Sequence, residues 1–260
     1  MKISFAILRK KLYFRIPVAI CIGILLFYTA GVLAMDKLLF PGAAEATARP
    51  PKSGNLTLKS GNAELDALFH FPAPGRPVIL YSHGNGEILA HIKPLLNRFI
   101  RMGYGVMAYD YAGYGNSTGY PGEKQAYSDI EAAYAYLTAS RKIAPRDIII
   151  MGFSVGSGPS CYLAEKTEVK ALVIVSGFAS AAQVVLPFSV PLDQFPNAER
   201  LKNCKVPLMI IHGKNDKIVP IRNGKKLFDS SVSPLKTMYE EDAGHNDILE
   251  IPVAVFLHRQ

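Results

Sequence analysis

The apolar run Asp147-Ile148-Ile149-Ile150-Met151 feeds directly into Gly152-Phe153-Ser154-Val155-Gly156. No other feature constrains the fold as much. Side chains two positions before or after the serine would crowd a turn this sharp, which accounts for both glycines. The Ser154 hydroxyl is thereby held at the carboxyl edge of a sheet and directed away from the backbone, the geometry of a nucleophile elbow. A Gly/Ser-rich loop without chemistry is the competing reading of the bare pentapeptide. The strand before it and the helix-compatible segment after it favour the elbow.

The rest of the chain alternates in the same manner. Asn55–Ser60 and Glu64–Phe71 flank Gly61-Asn62, the signal for an antiparallel hairpin. Strands are then expected at 77–82, 104–110, 146–152, 170–176, 206–212 and 235–240. Helices are expected between them at 87–101, 123–140, 155–165 and 221–229, with a closing helix near 246–257. This order predicts an α/β fold, a mainly parallel sheet with helices on both faces. The 260 residues accommodate one such domain, placed at 54–260, plus an N-terminal appendage. There is no internal repeat.

With a serine on an elbow, an acid and a histidine are sought after it, in that order. Val206–Ile211 ends in His212-Gly213-Lys214-Asn215-Asp216, so Asp216 lies just past a strand end. Leu235–Tyr239 leads into Ala243-Gly244-His245-Asn246-Asp247, which puts His245 in a post-strand loop, 29 residues after Asp216 and 91 after Ser154. Three side chains from one edge of one sheet can converge, as a triad requires. Serine needs a base to take its proton as it attacks, and histidine titrates near neutrality. Asp216 would fix the imidazole tautomer and stabilise the imidazolium. Asp216 as a mere turn residue, or Asp242 or Asp247 as the acid, are the alternatives. Among the six histidines, His70 and His258 read as strand and tail residues, His91 as helical, and His212 as a packed strand end.

The short strand Val78–Ser82 precedes His83-Gly84-Asn85-Gly86. In elbow sites that loop supplies one oxyanion N–H and the residue after the serine supplies the other, which nominates the Asn85 and Val155 amides. His83 reads as a structural hydrogen-bonding residue of the loop, and Asp110 as a backbone acceptor for the glycine-rich stretch Tyr111–Gly119. Tyr111, Tyr114 and Tyr120 could line a pocket or pack the loop.

Ile16 to Met35 is a stretch of 20 residues without a charge. At 1.5 Å per residue it matches a hydrocarbon layer of roughly 30 Å. Lys2, Arg9, Lys10, Lys11 and Arg15 precede it, while Asp36 and Lys37 cancel. The positive-inside rule then predicts a basic cytoplasmic arm at 1–15, a single-pass transmembrane anchor at 16–35 and a stalk at 36–53. The catalytic domain falls on the opposite side of the membrane. A cleaved signal peptide with Val32-Leu33-Ala34 at its end is the alternative; the apolar stretch exceeds the usual signal core.

The formal net charge is +8, but five of the 29 basic residues sit in the arm, leaving 24 against 21 acidic ones. The remainder is close to neutral, with no basic stripe interleaved with aromatics, so nucleic acid is not an expected partner. The three cysteines, Cys21, Cys161 and Cys204, form neither a disulfide framework nor a metal-ligand spacing. No cofactor and no metal are implied.

Ser82–Asn85, Asp110–Ser117, Gly152–Gly156, His212–Pro220 and Gly244–Asp247 resemble the motifs of the Bem46-type α/β hydrolases. Pro159, Phe195-Pro196-Asn197 and Ala243–Asp247 are further similar to the α/β-hydrolase-domain protein depalmitoylases. The resemblance runs from about Leu56 to the C-terminus and implies an α/β-hydrolase fold. It implies Ser154, Asp216 and His245 as a triad acting on acyl esters or thioesters. The N-terminus departs from those depalmitoylases: they carry an acylated cysteine cluster, and this chain carries an apolar segment with Cys21 alone.

Substrate choice is expected in the segment 177–203, a short cap rich in apolar residues: Phe178, Val184, Val185, Leu186, Phe188, Val190, Leu192 and Phe195. A short helix merely covering the core is the blander reading. The whole points to a membrane-anchored serine hydrolase that cleaves carboxylic esters or thioesters of a small or lipid-like acyl substrate, or of an acylated protein, through an acyl-enzyme. An amidase or peptidase with the same triad, and a non-catalytic binding protein on the same fold, are the alternatives.

Overall fold

Val78-Ile79-Leu80-Tyr81 and Ile148-Ile149-Ile150-Met151 are apolar at every position rather than at alternate ones, so both faces of such strands must be covered. The computed structural model shows how. It describes residues 17–20, 22–23, 29, 31, 39–41, 52–188, 190–191 and 193–248. Contacts divide the chain into two units, Met1–Leu38 and Leu39–Gln260.

Among the described residues the second unit has eight strands: β1 (Leu56–Ser60), β2 (Ala63–His70), β3 (Val78–Ser82), β4 (Gly105–Tyr109), β5 (Ile148–Phe153), β6 (Ala171–Val175), β7 (Leu208–Gly213) and β8 (Lys236–Glu241). They lie in the order β1-β2-β4-β3-β5-β6-β7-β8. The hairpin strand β2 runs antiparallel to β4, and every pair from β4 to β8 is parallel. Gly61 makes the two-residue hairpin turn at φ 55°, a left-handed value open to glycine.

Parallel neighbours need crossovers, and helices supply them. These are α1 (Leu89–Arg101), α2 (Glu123–Ala135), α3 (Ser157–Lys166), α4 (Asn197–Leu201) and α5 (Arg222–Ser230). Ile79, Tyr81, Ile149, Met151, Met209 and Ile211 face one core with Leu89, Ile92, Leu96 and Phe99 of α1. Val78, Leu80, Ile148, Ile150, Leu208 and Ile210 face the other, with Ile130 of α2, Leu163 of α3, Leu201 of α4 and Leu227 of α5. The period of two along each strand thus sorts its side chains between two cores.

Three expectations need adjustment. The helix expected over 123–140 is α-helical only to Ala135, and Tyr136–Ser140 widens into a π turn. Asn246–Ile248, at the start of the expected closing helix, are not helical, and its remainder lies outside the described residues. The stalk expected over 36–53 is divided. Phe40 is buried within the domain, and the Ser53 and Gly54 amides donate to Asp66 Oδ2 at 3.0 and 3.2 Å. Residues 42–51 lie outside the described set.

The charge-free run 16–35 also lies largely outside the described residues. Those described within it, 17–20, 22–23, 29 and 31, are helical. Among the described residues no helix is long and apolar enough to cross a membrane.

The elbow is the tightest place in the sheet. A Cβ at Gly156 would fall against the Ser82 and His83 carbonyls of the neighbouring strand end, and one at Gly152 against the Gly156 carbonyl and Ser160 Oγ. Backbone atoms cannot step aside as a flexible side chain could. Gly156→Ala is therefore expected to destabilise the protein by about 3 kcal/mol, the upper end of overpacking costs, in urea denaturation. A loss under about 0.5 kcal/mol would show that the elbow has slack.

Candidate functional site

Four strand ends deliver the site residues to the same edge of the sheet. Ser154 follows β5, Asp216 follows β7, His245 follows β8, and the loop His83–Asn85 follows β3. Ser154 has φ 52°, a left-handed value that costs a non-glycine residue roughly 1–3 kcal/mol. Ser157, opening α3, donates its hydroxyl to the Ser154 carbonyl at 2.7 Å and holds that turn.

Asp216 makes the turn and also meets His245, so the two readings the sequence offered as alternatives are compatible in one side chain. Its Oδ1 accepts the amides of Ile218 (2.9 Å) and Val219 (2.8 Å), and its Oδ2 accepts from His245 Nδ1 at 2.7 Å. Burial alone would raise its pKa. The hydrogen bonds from His245 and the two amides outweigh that and hold the carboxyl below its ordinary range. The group is a carboxylate, so His245 Nδ1 must be the donor. His245 Nε2 is then free to accept the Ser154 hydroxyl proton, and lies 3.0 Å from Ser154 Oγ. Asp242 is occupied elsewhere, accepting from Asn215 Nδ2 at 2.7 Å.

His212 lies fully buried, donating Nε2–H to the Val219 carbonyl at 2.8 Å, and burial lowers its pKa. It is neutral and supports the Asp216 turn. Asp110 Oδ1 accepts the Leu89 amide at 2.6 Å at the start of α1, and its carbonyl accepts from Ser117 Oγ at 2.8 Å.

The loop carrying Asn85 is held carbonyl by carbonyl. Tyr111 Oη–H donates to His83 O at 2.9 Å, His83 Nδ1–H to Gly84 O at 2.7 Å, and Tyr114 Oη–H to Asn85 O at 2.9 Å. Burial pushes the Tyr111 phenol well above its ordinary pKa, which keeps it a donor. Across a trans peptide the carbonyl and the next N–H point in opposite directions. Fixing Gly84 O therefore fixes the direction of the Asn85 N–H. Tyr111 and Tyr114 are loop-packing residues, buried in the core, whereas Tyr120 is 89% exposed.

Three supporting residues escaped the sequence. Ser176, at φ 48° just past β6, donates Oγ–H to the His245 carbonyl at 3.3 Å. Glu87 accepts the Gly84 amide at 2.7 Å, and Ser157 holds the elbow. Only Ser176-Gly177, a small-residue pair ending an apolar run as Ser154 does, carried a usable signal.

The cap segment is two-sided. Phe178 and Phe195 turn into the core, while Val185 and Phe188 remain 77% and 58% exposed. Arg222 donates to the Val184 and Val185 carbonyls at 3.0 and 3.3 Å, pinning the base of the exposed tip to α5. Leu192 lies outside the described residues. A cavity of about 140 Å³ beside His245 is lined by Phe153, Met151, Val175, Ile211 and Glu87, but not by Ser154. Among the described residues no cluster of side chains could hold a metal ion, and Cys161 and Cys204 are free and buried.

Residues 73–197 match the family model described as serine aminopeptidase, S33, a span that includes Ser154 and stops short of Asp216 and His245. Alpha/beta hydrolase domain-containing protein 17B of Homo sapiens is 36% identical over 174 residues, 65% of this chain and 60% of that protein. The chain thus spans about three fifths of the length of this curated relative. Among solved structures, the α/β hydrolase from Vibrio vulnificus superposes with a TM-score of 0.66 at 23% identity, covering 78% of this chain and 79% of that one. The Pyrococcus furiosus esterase Pf2001 gives 0.64 at 19%, covering 78% and 88%. At those identities the likeness establishes the fold. Sheet order, motif order and the superpositions agree: the chain has the α/β-hydrolase fold, and in sequence it is similar to the α/β-hydrolase-domain-containing proteins.

Proposed function

We propose that this protein is a membrane-anchored serine hydrolase that cleaves carboxylic ester or thioester bonds of acyl substrates. One observation carries the reading: the unbroken hydrogen-bonded path Asp216 Oδ2, His245, Ser154 Oγ, ending on a serine with left-handed φ. His245 Nε2 takes the Ser154 proton as Oγ attacks the acyl carbon. The Asn85 and Val155 N–H groups receive the oxyanion. Collapse breaks the bond to the alkoxide or thiolate, which leaves with the proton held on His245. Water, deprotonated in turn by His245, then releases the acid and restores Ser154.

The anchor at 16–35, with the arm 1–15 cytoplasmic and the domain across the membrane, is proposed from the charge pattern alone. It would bring the site to acyl chains at a bilayer surface. The exposed tip with Val185 and Phe188 suits such chains.

Labelling of the full chain by a fluorophosphonate, followed by hydrolysis of p-nitrophenyl esters, thioesters and anilides, tests the reading. Covalent labelling with ester or thioester turnover supports it. Preference for the anilide would favour the peptidase that the matched family's description names. A folded protein that neither labels nor turns over would favour a binding role. Val185→Asp with Phe188→Asp is expected to reduce selectivity for a long over a short acyl chain by roughly tenfold, about 1.4 kcal/mol of apolar contact. Unchanged selectivity would remove the tip from the acyl site.

A further inference from the structure

Phe40 precedes the hairpin by 16 residues in the sequence, yet its ring is 2% exposed. It stands edge-on to Tyr111, with centroids 5.8 Å apart at 74°, and to Tyr114, at 6.3 Å and 83°. Phe195, the inward residue of the cap segment, lies tilted against it at 6.1 Å. Tyr111 and Tyr114 also meet each other edge-on at 5.8 Å, and each packs on the His83 ring, at 4.5 and 5.8 Å.

These tyrosines are the two whose hydroxyls hold the His83 and Asn85 carbonyls. A phenol donating to a backbone carbonyl fixes that carbonyl only as well as its own ring is fixed. A tyrosine ring has two side-chain torsions to restrain, and the restraint comes from neighbouring rings. Phe40 packs on both rings at once, beside their contacts with His83 and, for Tyr111, with the Tyr109 ring at 5.5 Å.

We infer that Phe40 is a positioning residue for the oxyanion donor: it packs Tyr111 and Tyr114 against the His83–Asn85 loop and so keeps the Asn85 N–H aimed at the reacting oxygen. This rests on the reading of that loop as an oxyanion site. Phe40 touches neither Ser154 nor the bound substrate in this scheme. Its effect reaches the reaction through two hydroxyls, which hold the peptide planes on either side of the one carrying the Asn85 N–H. Removing the ring leaves a void into which Tyr111 and Tyr114 can relax, and a loop that binds substrate but stabilises the transition state less. The loss falls on kcat. A protein beginning after residue 41 would lack this support although every motif remained.

The test uses the full chain and p-nitrophenyl butyrate, with Phe40→Ala, Phe40→Leu, Tyr114→Phe and the double variant Phe40→Ala with Tyr114→Phe. Melting temperature and fluorophosphonate labelling are read alongside kcat and KM. Phe40→Ala is expected to lower kcat about tenfold with KM within twofold, and Phe40→Leu to recover most of it. In the Tyr114→Phe background Phe40→Ala should cost clearly fewer log units than in wild type, because one of the two hydroxyls through which it acts is already gone. If wild type turns over and labels but Phe40→Ala only lowers the melting temperature, the proposal is overturned alone. The same follows if the two substitutions multiply independently. A wild-type chain that neither labels nor turns over the ester overturns the hydrolase reading and this proposal with it.

Discussion

Ser154→Ala is expected to lower kcat/KM for an activated ester by roughly 10⁵-fold, about 7 kcal/mol of transition-state stabilisation, and to abolish fluorophosphonate labelling. The size follows from the serine's place in the path. Without Oγ no acyl-enzyme forms, and the Asn85 and Val155 amides can assist only direct attack by water, which leaves a residual rate. Among the described residues Ser154 Oγ bonds only to His245 Nε2, at 3.0 Å, and the turn is supported by Ser157 and by Gly156 packed on Ser82. The variant should therefore stay within about 1 kcal/mol of wild type in urea denaturation. Residual turnover within a hundredfold of wild type would place the nucleophile elsewhere. Loss of folding would instead show that the hydroxyl supports the elbow.

Asp216→Asn is expected to lower kcat by about 10⁴ while the fold survives. The reason is the division of labour between its two oxygens. Oδ1 accepts two backbone amides, Ile218 and Val219, so the one oxygen of an asparagine must stay there. The NH₂ group then faces His245 Nδ1, which has to become the acceptor. The ring proton moves to Nε2, and His245 can no longer take the Ser154 proton. Asp216→Ala removes this inverted bond and is expected to be less harmful to the tautomer than Asp216→Asn, though worse for the turn. Equal activity of Asp216→Asn and wild type would exclude the carboxylate from the proton path.

The same carboxyl makes a stability prediction. Its folded pKa lies below its unfolded value, near 3.9 for a free aspartate. Its contribution is thus complete above that value and is lost as pH falls through the folded one, because the unfolded chain binds the proton first. The stability gap between wild type and Asp216→Asn should narrow as pH drops below about 4. A gap that widened there would mean the carboxyl is destabilising as an anion.

Much of this site was legible because parallel sheets collect their loops at one edge. Strand ends alone put Ser154, Asp216, His245 and Asn85 on the same side. Other residues gave no such sign. Phe40 sits among Pro41, Gly42 and alanines, a composition that reads as stalk, and is buried only because three distant aromatic rings make room for it. Phe178 and Phe195 look like the cap's other apolar residues, but hydropathy cannot tell an inward ring from an outward one in a segment without periodicity. Tyr111 and Tyr114 showed that a loop was aromatic, not that their hydroxyls would grip backbone 28 and 29 residues earlier.

Properties that depend on local sterics and on order along the chain could be read before any packing was known. These are the elbow at Ser154, the hairpin at Gly61, the alternation that builds a doubly covered sheet, and the order serine, acid, histidine. Only tertiary structure decided that Asp216 and not Asp242 meets His245, which ring nitrogen carries the proton, and that Phe40 belongs to the domain. Those outcomes depend on hydrogen bonds near 3 Å and ring contacts near 6 Å between residues 29 to 155 positions apart. Such distances are fixed by how the whole sheet and its helices pack, which no local window of sequence records.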